Sequence, residues 1–546
     1  MILTYDLEKR GRHPIYEYLY LCIREDILSG VIRGGEKLPS KREMARDHKV
    51  ALITVENAYA QLVIEGYVTA KEKSGYFVNP GMAEMVRPEK NRAAWAEGGS
   101  GLTAAGMQAK ERTGQAAGAQ AKEQAGRAAG AQAKERTGQA AGAQAKEQAG
   151  LAAGQSAQTR AVQVAWAEGR EGTAGTPKKK WLVDFSSGEL KRDAFPFDTW
   201  SKLMRRVMND REEAFLTKPD RSGVPELREA IAAYLKKAKG LAVSPGQVLV
   251  GPGTEYLHHL ILQLVGRSRM VAVEDPGYVK VGQIYEGNGL KVLHVPVDRG
   301  GMVVSRLWGT NASLVHTSPS HHFPTGCVMP IGRRRELLNW AHAQEAYVIE
   351  DDYDSEFRFD GRPIPTLASL DGERVIYLNT FTKTLAPSIR IAYAVLPEKL
   401  KERYDEKLSF YSGAVSSFEQ YTLAAFIGEG YYERHVNRMR NYYRQQRTRI
   451  LETLAASPLA DKVSVEEHGA GLHFILRVKE LGDEEAWVKE LEEHGIRLVP
   501  VSAYCYGGKE RYGKRFLVYY SDLEPENLKK AFEIMSLTLD RNPKGE

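Results

Sequence analysis

The stretch NTFTKTLAPSIRIAY, residues 379–393, places a lysine, Lys383, just past a strand-forming run, with hydroxyls at Thr380 and Thr382 and a guanidinium seven residues on at Arg390. Upstream, YVIEDDYDSEF (347–357) ends a strand in carboxylates and sets Asp351 and Tyr353 in a D-x-Y arrangement. Further back, VAVEDPGYVK (271–280) places Tyr278 after another strand. LVGPGTEYLHH (249–259) passes from strand through Gly-Thr into a helix. A helix N-terminus presents open N–H groups and is a seat for phosphate, here lined by Gly253, Thr254 and the backbone of Glu255. Around these motifs, from 182 to 540, short apolar runs such as QVLVG, SLVHTSP and VIYLNTF alternate with helical patterns such as PELREAIAAYLKKA. That alternation predicts an α/β domain with a mostly parallel sheet covered on both faces.

Singly these signals are weak, because a lysine in a Thr-rich loop or an acidic cluster is usually just solvated surface. Together they supply what pyridoxal 5′-phosphate (PLP) requires: an amine for its aldehyde, an acid for its pyridine nitrogen, an aromatic face for its ring and a cup of donors for its phosphate. The region resembles the fold-type-I aminotransferases over nearly all of residues 183–535, with a small C-terminal α+β subdomain. The resemblance implies that Lys383 forms the Schiff base, that Asp351 holds the pyridine N–H and that Tyr353 bonds the ring's phenolic oxygen. It also implies that Gly253, Thr254, Glu255, Thr380, Thr382 and Arg390 surround the phosphate while Tyr278 stacks on the ring. DFSSGELKRDAFPFDTWSKLMRR (184–206) and DRSGVPELREAIAAYL (220–235) are similar to the opening segment of MocR-type regulators.

Two departures bear on catalysis. Aminotransferases usually carry Asn-Pro-[Ser/Thr]-Gly, whereas SPSHHFPTG (318–326) has Phe323 at the Asn position; the MocR-type pattern is SHQFPTG, so His322 is the local peculiarity. The adjacent His321 and His322 lack companion ligands at metal-binding spacing, and no metal site is expected. In KRFLVYYSDL (514–523) the aminotransferase arginine for the substrate carboxylate falls on Leu517. Arg515, on the same strand face, is the candidate substitute for binding an effector carboxylate.

At the other end, EKLPSKREMARDHKVALITVENAYAQLVIEGYV (36–68) contains two short helices across a tight turn. Ser40 and Glu43 form a capping box that starts the first, running from about Lys41 to Asp47. Val55, Ala58, Tyr59 and Leu62 make the inward stripe of the second, which starts near Leu52. YVTAKEKSGYFVNP (67–80) then supplies two strands with Lys71, Lys73 and Gly75 at the tip. This stretch resembles the GntR-type winged helix-turn-helix, with LPSxRxLA answered by Leu38, Pro39, Ser40, Arg42 and Ala45, and TVxxAYxxLxxxGY by Thr54 through Tyr67. By that resemblance Ser40, Arg42, Thr54 and Lys73 contact double-stranded DNA. The family's Ser-Arg before the recognition helix is Ala51-Leu52 here, which removes a phosphate-seeking or base-reading arginine.

Between the two regions, from about Pro88 to Pro177, composition collapses to Ala, Gly, Gln, Lys and Glu, and a twelve-residue unit runs four times from Ala109, Ala121, Ala133 and Ala145. Recurrent glycine and the lack of an apolar stripe predict a mobile tether with a typical span of roughly 50 Å. The chain of 546 residues therefore divides into 1–82, a DNA-binding domain; 83–181, a linker; and 182–546, an effector domain. Residues 89–182 hold fourteen Lys and Arg against eight Glu, an excess equal to the whole net charge of +6, so bulk charge says little about DNA. Three dispersed cysteines, odd in number and without a CxxC pair, argue against a disulfide framework or a structural zinc site. Without an apolar span or leader the chain is expected to be cytoplasmic and away from membranes. Both resemblances together are those of a MocR/GabR-type regulator. They imply a homodimer, head-to-tail and domain-swapped, that binds an operator and senses an amine, an amino acid or PLP through Lys383. The alternative is a catalytically active aminotransferase with an accessory DNA-binding domain.

Overall fold

The computed structural model describes residues 5–79 and 181–541, with breaks at 11–13, 30, 65, 72–73, 187–193, 267–269, 360–364, 467–468, 470, 508 and 521–522. The four repeats, and Lys73 at the wing tip, lie outside the described residues.

The N-terminal unit is three helices and a hairpin: α1 (Ile15–Leu28), α2 (Lys41–Asp47), α3 (Leu52–Ile64), β1 (Val68–Lys71) and β2 (Gly75–Val78). The two strands pair antiparallel from Val68↔Val78 to Lys71↔Gly75. At the start of α2 the capping box forms as the sequence predicts: Ser40 Oγ accepts from the Glu43 N–H and the Glu43 carboxylate accepts from the Ser40 N–H. The α3 stripe Val55, Ala58, Tyr59 and Leu62 is fully buried with Leu19, Ile23 and Ile27 of α1. Tyr59 satisfies its hydroxyl by donating to the Pro39 carbonyl at 2.9 Å, which ties α3 to the loop before α2.

In the large domain an eight-stranded sheet runs β4 (Val248–Gly251), β11 (Ala392–Val395), β10 (Val375–Thr380), β9 (Tyr347–Asp351), β8 (Ala312–Thr317), β5 (Met270–Asp275), β6 (Lys291–Asp298) and β7 (Gly301–Met302). The central strands β10, β9, β8, β5 and β6 are parallel, and the edges close with antiparallel β11, β4 and β7. Strand residues alternate between two cores: Val250, Val315, Val348 and Tyr377 on one face, Leu249, Leu314, Ile349 and Leu378 on the other. Burial on both faces is why these segments read as continuous apolar runs. A short parallel pair joins β3 (Val183–Asp184) to β14 (Ile496–Arg497). The C-terminal α+β subdomain is a four-stranded antiparallel sheet in the order β12 (Val463–Glu466), β13 (His473–Val478), β16 (Arg515–Tyr519) and β15 (Val499–Pro500).

Candidate cofactor cleft and DNA-reading head

Strand direction and parity assemble the cleft. Parallel β5, β8, β9 and β10 all end at one sheet edge, with Asp275, Thr317, Asp351 and Thr380 as their last residues. Because β11 runs antiparallel to both neighbours, β4 points the same way as β10, and Gly251 and Thr380 both stand opposite Ala392. The helix Thr254–Val265 therefore starts beside the Lys383 loop. Gly253 takes φ +110°, and a Cβ there would stand 2.6 Å from an Arg390 Nη2 and 2.8 Å from a Glu255 carboxylate oxygen. Only glycine leaves that space open. Thr380 and Thr382 face each other across 2.9 Å between hydroxyl oxygens.

Arg390 donates to Glu255 at 3.0 Å, and Lys280 reaches the other Glu255 oxygen at 3.2 Å. Burial raises the Glu255 pKa, but its own backbone N–H, Lys280 and Arg390 outweigh burial and hold it below the usual carboxylate value. The cations and amides at this helix start thus already stabilise an anion. Lys383 is open to solvent but sits deep in the cleft, where lost hydration lowers its pKa and Asp354 works against the shift.

Asp351 shares its sheet face with His316, since Leu314 and Ile349, two residues before each, belong to one core. Its Oδ2 is 3.4 Å from His316 Nε2. Its Oδ1 is buried and has no hydrogen-bond partner among the described residues. A buried carboxylate oxygen without a donor is costly, and a pyridinium N–H is the donor that PLP brings. Behind it, His316 Nδ1 lies 2.9 Å from the Tyr285 hydroxyl, which lies 3.2 Å from His258 Nδ1. Burial drives the His258 pKa well down, with His316 adding to the shift, so His258 stays neutral. With His316 Nε2–H turned to Asp351, its Nδ1 accepts the Tyr285 O–H, and the Tyr285 oxygen accepts His258 Nδ1–H. Every donor in the chain then points toward the carboxylate.

Around the mouth, the Tyr353 hydroxyl is 3.2 Å from His321 Nδ1, and Asp354 holds that imidazole at 2.8 Å. Half-exposed Tyr278 meets Phe323 edge-on at 5.9 Å, and Phe323 packs on Tyr504 and His473. His322 is buried, with Nδ1 on the Thr325 hydroxyl at 2.7 Å and Nε2 3.5 Å from Glu274. Burial drops its pKa to about 3, whereas burial lifts Glu274 to about 7. Among the described residues no three His, Cys, Asp or Glu side chains gather as a metal site. Arg515 is held by Glu466 at 3.0 Å and by the Arg511 carbonyl at 3.1 Å.

On the head, Ser40 and Arg42 are exposed and Thr54 is half-buried at the start of α3. They lie at the N-termini of the two helices of a helix-turn-helix.

Residues 180–534 match the family of class I and II aminotransferases, and residues 15–78 match the gntR family of bacterial regulatory proteins. The HTH-type transcriptional regulator YdeL of Bacillus subtilis is 31% identical over 90% of this chain and 89% of its own length. The probable rhizopine catabolism regulatory protein MocR of Rhizobium meliloti is 29% identical over 96% and 94%. This chain belongs to the MocR/GabR-type transcriptional regulators. Kynurenine aminotransferase from Pyrococcus horikoshii shares the large-domain fold, at a TM-score of 0.59 and 21% identity over 71% of this chain and 95% of its own.

As in other MocR/GabR-type chains, the cofactor is PLP, and the head binds DNA. The residues present fit the cofactor: an orphaned Asp351 oxygen, an amine at Lys383, an anion seat at Gly253 and Arg390, and an aromatic mouth at Tyr278. Sequence reading missed His316, Tyr285 and His258, as well as Lys280, Asp354 and Glu274. For His316 a signal existed, a lone ionisable side chain near the end of a wholly buried strand, ASLVHT. Tyr285 and His258 sit inside helices and carry no such mark.

Proposed function

We propose that the PLP domain works as a sensor: an amine, an amino acid or PLP itself binds at Lys383 and changes how two DNA-reading heads are held. Bound PLP supplies an electrophilic carbon that captures amines covalently. Lys383 is the covalent anchor; Asp351 and Tyr353 hold the ring, Tyr278 covers it, and Gly253, Thr254, Glu255, Thr380, Thr382 and Arg390 form the phosphate seat. Ser40, Arg42, Thr54 and Lys73 contact the operator. The division into 1–82, 83–181 and 182–546, a head-to-tail homodimer and a cytoplasmic location belong to the same reading; among the described residues no helix is long and apolar enough to cross a membrane.

The observation that carries sensing over turnover is Leu517. It stands where an aminotransferase needs an arginine, and it is wholly buried with Ile475, Val501 and Tyr504. A guanidinium is therefore absent from that spot, and Arg515 is already engaged by Glu466 and the Arg511 carbonyl. A sensor needs only differential affinity between two states and need not complete both half-reactions. The test is a titration of the PLP-loaded protein with amines and amino acids, following cofactor absorbance and operator affinity together. Coupled changes without multiple turnover on an added keto acid support sensing; multiple turnover supports the transaminase alternative. For the head, Arg42→Ala should weaken binding to every sequence and lower the salt slope by about one, as loss of one phosphate contact does.

A further inference from the structure

The recognition helix carries an exposed apolar start that nothing in its own fold requires. Leu52 and Ile53, the first two residues of α3, are 40% and 60% exposed, while Val55, Ala58, Tyr59 and Leu62 fill the core from the other side. Ile53, Asn57 and Ala60 follow at helical spacing and are all exposed, so they form one outward stripe. The Asn57 side chain makes no hydrogen bond among the described residues. Glu56, the helix's one carboxylate among the described side chains, is drawn aside by Lys41 at 2.7 Å. The first turn of α3 has neither acidic nor basic residues. The approach to it carries exposed Arg42, Arg46 and Lys49.

N-terminal residues of a recognition helix meet base edges in the major groove. There, apolar side chains contact the thymine C5-methyl, asparagine pairs bidentately with adenine N6 and N7, and arginine reads guanine. We propose that α3 reads A·T pairs: Leu52 and Ile53 pack on thymine methyl groups, Asn57 pairs with an adenine within about two base-pair steps, and no guanine is read at these positions. The spacing follows from helix rise, since four residues cover about 6 Å against about 3.4 Å per base pair. The inference rests on the DNA-reading assignment and specifies what is read. A protein partner fits the patch less well, because two side chains fall far short of the roughly 1,000 Å² that a specific protein interface buries. The cations beside them favour a polyanion.

Selection of binding sites from random duplexes, with the full-length PLP-loaded protein, should return half-sites with A·T pairs at the positions that α3 covers. Replacing those thymines by deoxyuridine removes only the methyl groups and should weaken wild-type binding about four-fold per contacted methyl, the worth of one buried CH₂. Ile53→Ala should narrow the gap between the thymine and deoxyuridine duplexes by the share of its own methyl contact, leaving that of Leu52, and Asn57→Ala should relax the adenine preference while keeping the salt slope. Both substitutions are on the surface, and circular dichroism checks that the fold persists. G·C pairs at the selected positions, or equal wild-type affinity for thymine and deoxyuridine duplexes, overturn the inference while leaving the DNA-binding head intact. An Ile53→Ala change that alters only oligomeric state assigns the patch to a protein contact and also overturns it. Failure to bind any duplex at low salt would instead count against the reading head itself.

Discussion

The two working regions of this regulator are built from different reaches of chain. The head's reading surface is contiguous: one capped helix, one turn and one exposed helix face within residues 40–60. The cofactor cleft draws its parts from the ends of strands and helices spread from Gly253 to Arg390, and the chain behind Asp351 joins residues 31 and 27 positions apart at each of its inner steps. Local capping and periodicity suffice to specify the first. The second exists only once a sheet has fixed which side chains share a face, so its chemistry depends on buried long-range pairing. Substitutions in the cleft should therefore have the larger effects, whereas those in the head should be small and local.

The largest expected effect is at Asp351. Asp351→Asn removes the charge opposite a pyridinium while keeping the shape, and loss of one member of a buried charged pair costs about 4 kcal/mol, close to a thousandfold in PLP affinity. Equilibrium dialysis of the apo-protein against PLP measures it; unchanged affinity would show that another acid holds the ring.

Next comes Glu274, whose carboxyl accepts from the Thr317 hydroxyl at 2.6 Å and the Ser318 N–H at 3.1 Å, yet is lifted by burial from 4.5 to about 7. A raised acid favours the fold while it stays protonated. Its contribution is therefore complete below about pH 4.5, is lost as pH rises toward 7, and stays lost above. The loss at pH 8 is on the order of 3 kcal/mol. Glu274→Gln should remove it, making the variant more stable than wild type at pH 8 but not at pH 4.5, as read from urea midpoints. His322 and His473, both lowered by burial to about 3, act oppositely: they stay neutral in the fold and cost stability as pH falls below 6.5, in both proteins. A gain that is equal at the two pH values would assign it to packing rather than charge.

Third is Tyr285→Phe, which leaves two buried imidazole nitrogens without their shared hydroxyl, a loss of about 2 kcal/mol in stability. Because the chain orients Asp351, PLP affinity should fall with it, and the pH at which the bound cofactor's absorbance changes should move. A stability loss with an unmoved spectrum would make the chain a structural support alone.

Legibility followed the same division. In the head the limits of α2, the start of α3, the capping box and the core stripe were readable, because each depends on residues close in sequence, whereas α1 (Ile15–Leu28) and the end of α3 were not delimited. The large domain's strands were readable as apolar runs, and the motif order pointed to Lys383, Asp351 and Arg390. Sequence could not show that β11 runs antiparallel between β10 and β4, a matter of topology rather than composition. Nor could it show that the Glu255 side chain, expected to act through its backbone alone, would bridge Arg390 and Lys280. His316, Tyr285 and His258 were invisible for the same reason: none is near another in sequence, and a buried histidine is recognised only by what it faces.

The smallest effect should be Ser40→Ala, and it is the sharper test of locality. The substitution removes the oxygen that accepts the Glu43 N–H at 3.2 Å, and loss of such a cap costs about 1 kcal/mol. Hydrogen exchange on the full chain should show the α2 amides opening about five-fold more readily, with the strands of the large domain unchanged and PLP affinity unaltered. The Glu43 carboxyl is held below its ordinary value by the Ser40 N–H and hydroxyl, so the box contributes above that value and fades as pH falls through the lowered one. The difference between wild type and variant should shrink in acid, the reverse of the trend at Glu274. If exchange in the large domain rose together with that of α2, head and cleft would share one cooperative unit, and the distinction between a locally built reader and a globally built sensor would fail.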